Sequence, residues 1–262
     1  MNEHDSNQVP PPDGDAALPR RELLVRQAAW LRDARTRLLR RAAISRRQHV
    51  VELGAGWGVV TDELARRSGG KVTAVDCHPA AVEKAATSAT DDDATPQHDS
   101  VAWLHARAEQ LPFDKQCCDL VFAQFSFLWF ADARQALAEA CRVLQPGGAI
   151  AAIEPDYGGL IEYPPQIAVQ SIWIDAIARA GGDPHVGRKL PGLLIAAGLS
   201  VEVQLLDRLK PPHPARFDLL SELPLTAAER AAVDQAREAD KQAGNQALAH
   251  LPVMMIYAEV RP

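Results

Sequence analysis

No apolar run in this 262-residue sequence approaches the roughly 20 residues that cross a bilayer. No secretory leader is expected, since the N-terminus is polar and proline-rich (Val9-Pro10-Pro11-Pro12-Asp13-Gly14) rather than basic and then apolar. Cys77, Cys117, Cys118 and Cys141 show no CxxC spacing, so reduced thiols packed as small hydrophobes in a cytoplasmic protein are expected. The histidines show no HxxxH or other ligand spacing, so no metal is expected. No internal repeat is visible. What remains is a globular composition, 47% hydrophobic and 24% charged, long enough for one large α/β domain.

The net charge of −6 is unevenly spread. Ten arginines stand between Arg20 and Arg47 against only Glu22 and Asp33, and everything else is acidic. A basic helix of this kind either meets an anionic partner or docks its solvated face on an acidic domain. The second reading is preferred. Residues 1–18 read as a disordered polar tail. Residues 20–43 read as one helix, with Leu23, Leu24, Gln27, Leu31, Leu38 and Leu39 at helical spacing.

Strands and helices then alternate. Strands are expected at His49–Leu53, Lys71–Asp76, Val101–His105, Cys118–Ala123, Ala149–Glu154, Leu199–Leu206 and Pro252–Val260. Pro79 opens a helix, Asp91-Asp92-Asp93 lies in a loop, and Asp132 with Gln135 has capping-box spacing. Pro146-Gly147-Gly148 is a helix stop, and Thr226-x-x-Glu229 starts a long helix. The fold class is therefore α/β: a Rossmann-like, seven-stranded, mostly parallel sheet with helices on both faces. Residues 19–262 form one domain, with an N-terminal helical arm at 19–47. The segment 155–189, too long for a plain connection, is expected to cap the site together with that arm.

The most informative motif is Glu52-Leu53-Gly54-Ala55-Gly56-Trp57-Gly58, where a strand meets a helix. The dinucleotide pattern G-x-G-x-x-G fails, because Val59 stands at its sixth position. The motif present is acidic-x-G-x-G-x-G. A carboxylate beside the loop disfavours a pyrophosphate and favours a ligand carrying an ammonium group. Asp76 ends the second strand and can accept two ribose hydroxyls, a device that does not separate one nucleoside cofactor from another.

With these motifs in order, the run VVELGAGWG…VTAVD…ARAEQLPF…CDLVFAQFSFLWF…EACRVLQPGG resembles the class I S-adenosylmethionine-dependent methyltransferases, in the branch similar to ubiquinone/menaquinone C-methyltransferases (type 11). The resemblance covers about residues 20–154. It implies methyl transfer from S-adenosylmethionine to a small molecule, an aromatic or apolar metabolite, with S-adenosylhomocysteine as product. It places Gly54, Ala55 and Gly56 along the methionine part of the cofactor and Glu52 near its amino group. It assigns Asp76 to the ribose, Cys77, Ala108 and Glu109 to the adenine, and Gln124 and Phe125 to the carboxylate or sulfonium. Arg107 departs from the acidic residue of many relatives, and Cys118 from their phenylalanine.

A sulfonium methyl is already activated, so positioning dominates, although some acceptors need a base. Glu154, Asp156, Tyr157 and His185 are the candidates for catalysis. Trp30, Phe127 and Trp129 are candidates for a substrate pocket, with Phe130 beside them. Three other readings compete. An RNA methyltransferase rests on the basic helix alone, and the Ala123-Gln124-Phe125-Ser126 sequence lacks the (D/N/S)PP(Y/F) pattern of base-amino methylation. A non-catalytic cofactor- or metabolite-binding protein would keep the same glycine loop. An NAD(P)-dependent oxidoreductase conflicts with both Glu52 and Val59. The sequence leaves the methyl acceptor and the oligomeric state open.

Overall fold

The computed structural model of the protein describes residues 18–88, 101–206 and 215–260. Nearly all of the expected tail and the Asp91–Asp93 loop lie outside these residues. The strands are β1 (His49–Leu53), β2 (Lys71–Asp76), β3 (Val101–His105), β4 (Cys118–Gln124), β5 (Leu144–Pro155), β6 (Ile161–Tyr163), β7 (Leu199–Leu205), β8 (Leu248–His250) and β9 (Val253–Val260). Seven of them form one sheet in the order β3-β2-β1-β4-β5-β9-β7, while β6 and β8 pair separately. The pairings from β3 to β5 are parallel, and β9 runs antiparallel to both β5 and β7. The sheet is thus the mostly parallel one expected.

Its chemistry follows from burial. β1 is buried at every position, which suits its Val50, Val51 and Leu53, while Glu52 and His49 are buried with hydrogen-bond partners. Helices α3 (Thr61–Arg67), α4 (Pro79–Ser88) and α5 (Ala133–Val143) make the crossovers. Asp132 Oδ1 accepts the Arg134 and Gln135 N–H groups (2.9 and 3.0 Å), but the Gln135 side chain donates to Glu109 O rather than closing a capping box. The strand order reverses between β1 and β4, and at such a switch point the loops diverge and leave a crevice beyond the C-terminal strand ends.

Four features differ from the sequence reading. The single helix at 20–43 is two, α1 (Arg21–Trp30) and α2 (Arg32–Arg41), broken at Leu31. Leu31 is fully buried, and no glycine or proline marks the break. β5 begins at Leu144, not Ala149. Leu144 pairs with Cys118, Gln145-Pro146-Gly147 is exposed at a register shift, and regular pairing resumes at Ala149. The positive φ of Gly147 (75°) permits that detour.

The segment after β5 holds β6 and α6 (Gln170–Arg179), whereas Val186 to Lys189 belong to α7 (Val186–Ala196). A second covering segment, unforeseen in the sequence, contains α8 (Arg216–Ser221) and leads into α9 (Ala227–Ala243). Arg216 joins them, with a guanidinium nitrogen 3.1 Å from Asp240 of α9 and another 3.8 Å from Glu162 of β6.

Candidate active site

At the switch point the glycine loop turns against β2 and the end of β4. Gly54 and Ala55 donate N–H bonds to Val75 O (2.9 and 3.1 Å), and Gly56 N–H donates to Asp76 Oδ2 (2.7 Å). Gly54 has φ +72°, and a Cβ there would lie 2.5 Å from Ser126 Oγ, so both its backbone and its neighbour require glycine. Asp76 Oδ1 accepts from the backbone N–H of His78 (2.9 Å) and lies 2.8 Å from His78 Nδ1. The bond to Asp76, and then Cys77, pushes the His78 imidazole up to about 10. Among the described residues Asp76, Cys77 and His78 bring three potential metal-ligand atoms within 4.8 Å of one another. The Asp76–His78 hydrogen bond already occupies two of those atoms.

Glu52 is buried beneath the loop and accepts from Thr61 Oγ1 (2.6 Å). Burial pushes its carboxyl up to about 7, opposed by the Thr61 bond and the nearby Arg35 charge. Across the crevice Phe125 adopts a left-handed backbone (φ +53°), unusual for a bulky residue, while its N–H bonds Ile153 O (2.8 Å). This turn carries the chain away from the sheet and leaves Gln124 at the crevice. The Gln124 Oε1 accepts from Arg35 of α2 (3.0 Å).

The crevice opens into a cavity of about 580 Å³. One half is polar and formed by Glu52, the glycine loop, Asp76, Ala108, Glu109 and Gln124. The other half is aromatic and aliphatic, built from Leu128, Trp129 and Phe130 after β4, Tyr157 and Trp173 of the segment after β5, and Leu219, Leu223 and Pro224 near α8. Tyr157 and Trp173 stack at 4.7 Å between ring centres. Leu24 and Gln27 of α1 complete the wall. Its charged groups are paired. Arg179 binds Glu229 (2.8 Å) and Pro224 O, and Glu222 binds Arg20 (2.8 Å). Burial pushes the Tyr157 phenol up, so it is a donor rather than a base at neutral pH.

All of Glu52, Gly54, Ala55, Gly56, Asp76, Cys77, Ala108, Glu109, Gln124 and Phe125 line this one cavity, as do Trp129 and Tyr157. Other candidates stand elsewhere. Phe127 is fully buried in the core against Phe130, because the turn after β4 points it inward. Trp30 stands outside the wall, 38% exposed and edge-on to Phe125, since the break at Leu31 swings it aside. Glu154 is fully buried behind the wall. Its Oε1 accepts the Ser126 and Phe127 N–H groups (3.1 and 3.0 Å), and burial pushes its carboxyl up to about 8. Asp156 is held by Arg188 (2.7 Å), with His185 3.8 Å away, and neither Asp156 nor His185 reaches the cavity. These three stand outside the cavity lining. Sequence reasoning missed Trp173, Arg179, Glu222 and the 219–224 segment, which carry no motif and reach the cavity only through the tertiary fold.

With this geometry in view, comparison with known proteins is informative. Residues 51–152 match the model of a methyltransferase domain family. Trans-aconitate 2-methyltransferase of Paracidovorax citrulli is 32% identical over 155 residues, 56% of each chain. Malonyl-[acyl-carrier protein] O-methyltransferase of Hahella chejuensis is 35% identical over 104 residues, 38% of this chain and 34% of that one. These alignments span only a third to just over half of the relatives' lengths. Among solved structures, the geranyl diphosphate C-methyltransferase of Streptomyces coelicolor superposes with a TM-score of 0.60, covering 90% of this chain and 82% of that one at 18% identity. That identity carries the fold alone. Residues 51–152 thus match a methyltransferase domain, and the matched relatives are themselves methyltransferases.

Proposed function

We propose that this protein transfers a methyl group from S-adenosylmethionine to a small, apolar, ring-bearing acceptor held under the cap. One observation carries the reading. A single cavity joins a polar half, built of the glycine loop, Asp76 and Gln124, to an aromatic half whose charges are already paired. The polar half fits the cofactor. Asp76 Oδ2 accepts only the Gly56 N–H and keeps a lone pair for a ribose hydroxyl, while Oδ1 already faces both His78 donors. Gly54 to Gly56 allow close approach, Ala108 and Glu109 border the adenine end, and Glu52 stands where an ammonium group would be welcome. When bound, the cofactor supplies an electrophilic methyl on a sulfonium, so catalysis rests mainly on alignment, a contribution of about 7–11 kcal/mol.

The chain's own residues do the aligning. Tyr157 and Trp173 stack into a flat wall for a ring, and the Tyr157 hydroxyl, without a protein partner among the described residues, donates to a polar atom of the acceptor. Glu154 fixes the turn that carries Trp129 and Phe130. Arg179 and Glu222 are each held by an opposite charge, which disfavours an anionic substrate beside them. Arg20, Arg26, Arg35 and Arg41 all find acidic partners within the protein, which supports a docked arm over an RNA-binding one. The four free cysteines support a cytoplasmic setting, and no helix of the described residues is long and apolar enough to cross a membrane.

Calorimetric titration with S-adenosylmethionine, S-adenosylhomocysteine and NADH, followed by a methylation screen of phenolic and carboxylic acceptors, tests the reading. Micromolar binding of the two adenosyl ligands, lost in Asp76→Ala, and turnover of phenols over acids are expected. Binding of NADH instead, or turnover of carboxylic acids alone, would contradict it.

A further inference from the structure

Arg35 is the one arginine of the N-terminal arm that the sequence pattern would have left in solvent and the fold buries, at 3% exposure. Its donors are all directed. Two of its nitrogens lie 2.8 and 2.6 Å from Glu63 Oε2 of α3. A third donates to Ala28 O at the end of α1 (3.0 Å) and to Gln124 Oε1 at the end of β4 (3.0 Å). Glu63 is held on its other side by Arg67 (2.6 Å). Arg35 itself does not line the cavity, whereas Gln124 does.

A glutamine amide has one accepting end and one donating end, and either can be turned toward the cavity. A guanidinium has donors only. Facing Arg35, the Gln124 amide must present its oxygen, because the reversed amide would set N–H against N–H. Its NH₂ group is thereby aimed away from Arg35, and among the described residues that nitrogen has no protein partner. Glu52, the nearest acid of the glycine loop, lines the same half of the cavity. One side of the polar half thus offers N–H donors and the other a carboxyl.

We propose that Arg35 is a positioning residue that fixes the polarity of the Gln124 amide, so that the polar half reads the carboxylate of an amino-acid-bearing nucleoside. This rests on the cofactor reading above. Arg35 touches no ligand. It acts by holding one orientation of Gln124, and it ties that orientation to the arm through Ala28 and to α3 through Glu63.

The test compares two probes by calorimetry, S-adenosylhomocysteine and 5′-methylthioadenosine, which lacks the amino-acid part. Arg35→Lys keeps the charge but cannot serve Glu63, Ala28 and Gln124 together. It is expected to weaken S-adenosylhomocysteine by about tenfold or more, the usual weight of a hydrogen bond to a charged group, with methylthioadenosine held within about twofold. Gln124→Glu retains the Arg35 contact, and so the fold, but turns an acceptor to the cavity. The same selective loss is expected, with thermal stability unchanged. Arg35→Lys combined with Gln124→Leu should bind no more weakly than Gln124→Leu alone. Equal losses for both probes in Arg35→Lys, no loss in either, or full S-adenosylhomocysteine affinity in Gln124→Glu would overturn the proposal. Wild-type protein that binds neither probe would overturn the cofactor reading itself, a result distinct from any of these.

Discussion

Buried acids at the switch point give the protein a characteristic pH response. Burial pushes Glu52 up to about 7 and Glu154 up to about 8, so the folded state holds protons that the unfolded chain releases. A raised carboxyl stabilises the fold fully below the ordinary glutamate range, and that stability drains as pH rises through the folded value. His78, pushed up to about 10 by Asp76, acts in the same direction over a higher window, from the ordinary histidine range upward. The expected result is a urea midpoint that falls from about pH 5 to pH 10 in two overlapping stages. Glu154→Gln should flatten the lower stage, since Gln keeps the acceptor for Ser126 and Phe127, and His78→Asn the upper. A midpoint that rises with pH would contradict the assignment. These residues were legible to different degrees. Asp76 was visible from its place at a strand end. The unusual state of Glu154 was not, because nothing in its neighbouring letters says that two backbone N–H groups will converge on it.

Helix ends and breaks show where local rules suffice. Thr226 accepts from Glu229 N–H (3.2 Å) while Glu229 reaches back to Thr226 N–H (2.7 Å), so the spacing read from the sequence closes as a full capping box on α9. Thr226→Ala should lower stability by about 1 kcal/mol in denaturant titration, with little change in ligand affinity. Asp132 shows the same spacing but only half the box, because Gln135 is diverted to Glu109 across the cavity rim. A cap depends on its own few residues unless a tertiary partner competes. The break at Leu31 is the opposite case. Its helix formers and arginines favour continuation, yet the helix breaks where α1 lines the cavity with Leu24 and Gln27 and α2 packs on β5 and β9.

Across the whole molecule, one buried ionic cluster joins the segments that cover the cavity. Arg216 of α8 faces Glu162 of the first covering segment and Asp240 of α9, and both acids are nearly inaccessible. Burial pushes the Glu162 carboxyl upward, and the Arg216 charge opposes that push. Removing the arginine leaves two buried acids without a cation, so Arg216→Met should destabilise the fold by about 3–5 kcal/mol. Adding Glu162→Gln and Asp240→Leu should recover most of that loss. Recovery is read from urea midpoints, and a triple variant no more stable than the single one would show that Arg216 acts through packing instead.

Local chemistry determined what the letters could specify. Short apolar-rich segments made buried parallel strands, a glycine loop beside Glu52 and an acid ending β2 met at the switch point, and capping spacings started helices. These features depend on residues adjacent in the chain, so the sequence alone carries them. The tertiary structure decided which distant groups met. It turned Phe127 into the core and Tyr157 onto the cavity, brought Leu219, Glu222, Leu223 and Pro224 to the cavity wall, and buried Arg35 against Gln124, 89 positions away. Such pairings form only when the helices pack on the sheet, because burying a charge is tolerated only where the fold has already assembled its partners.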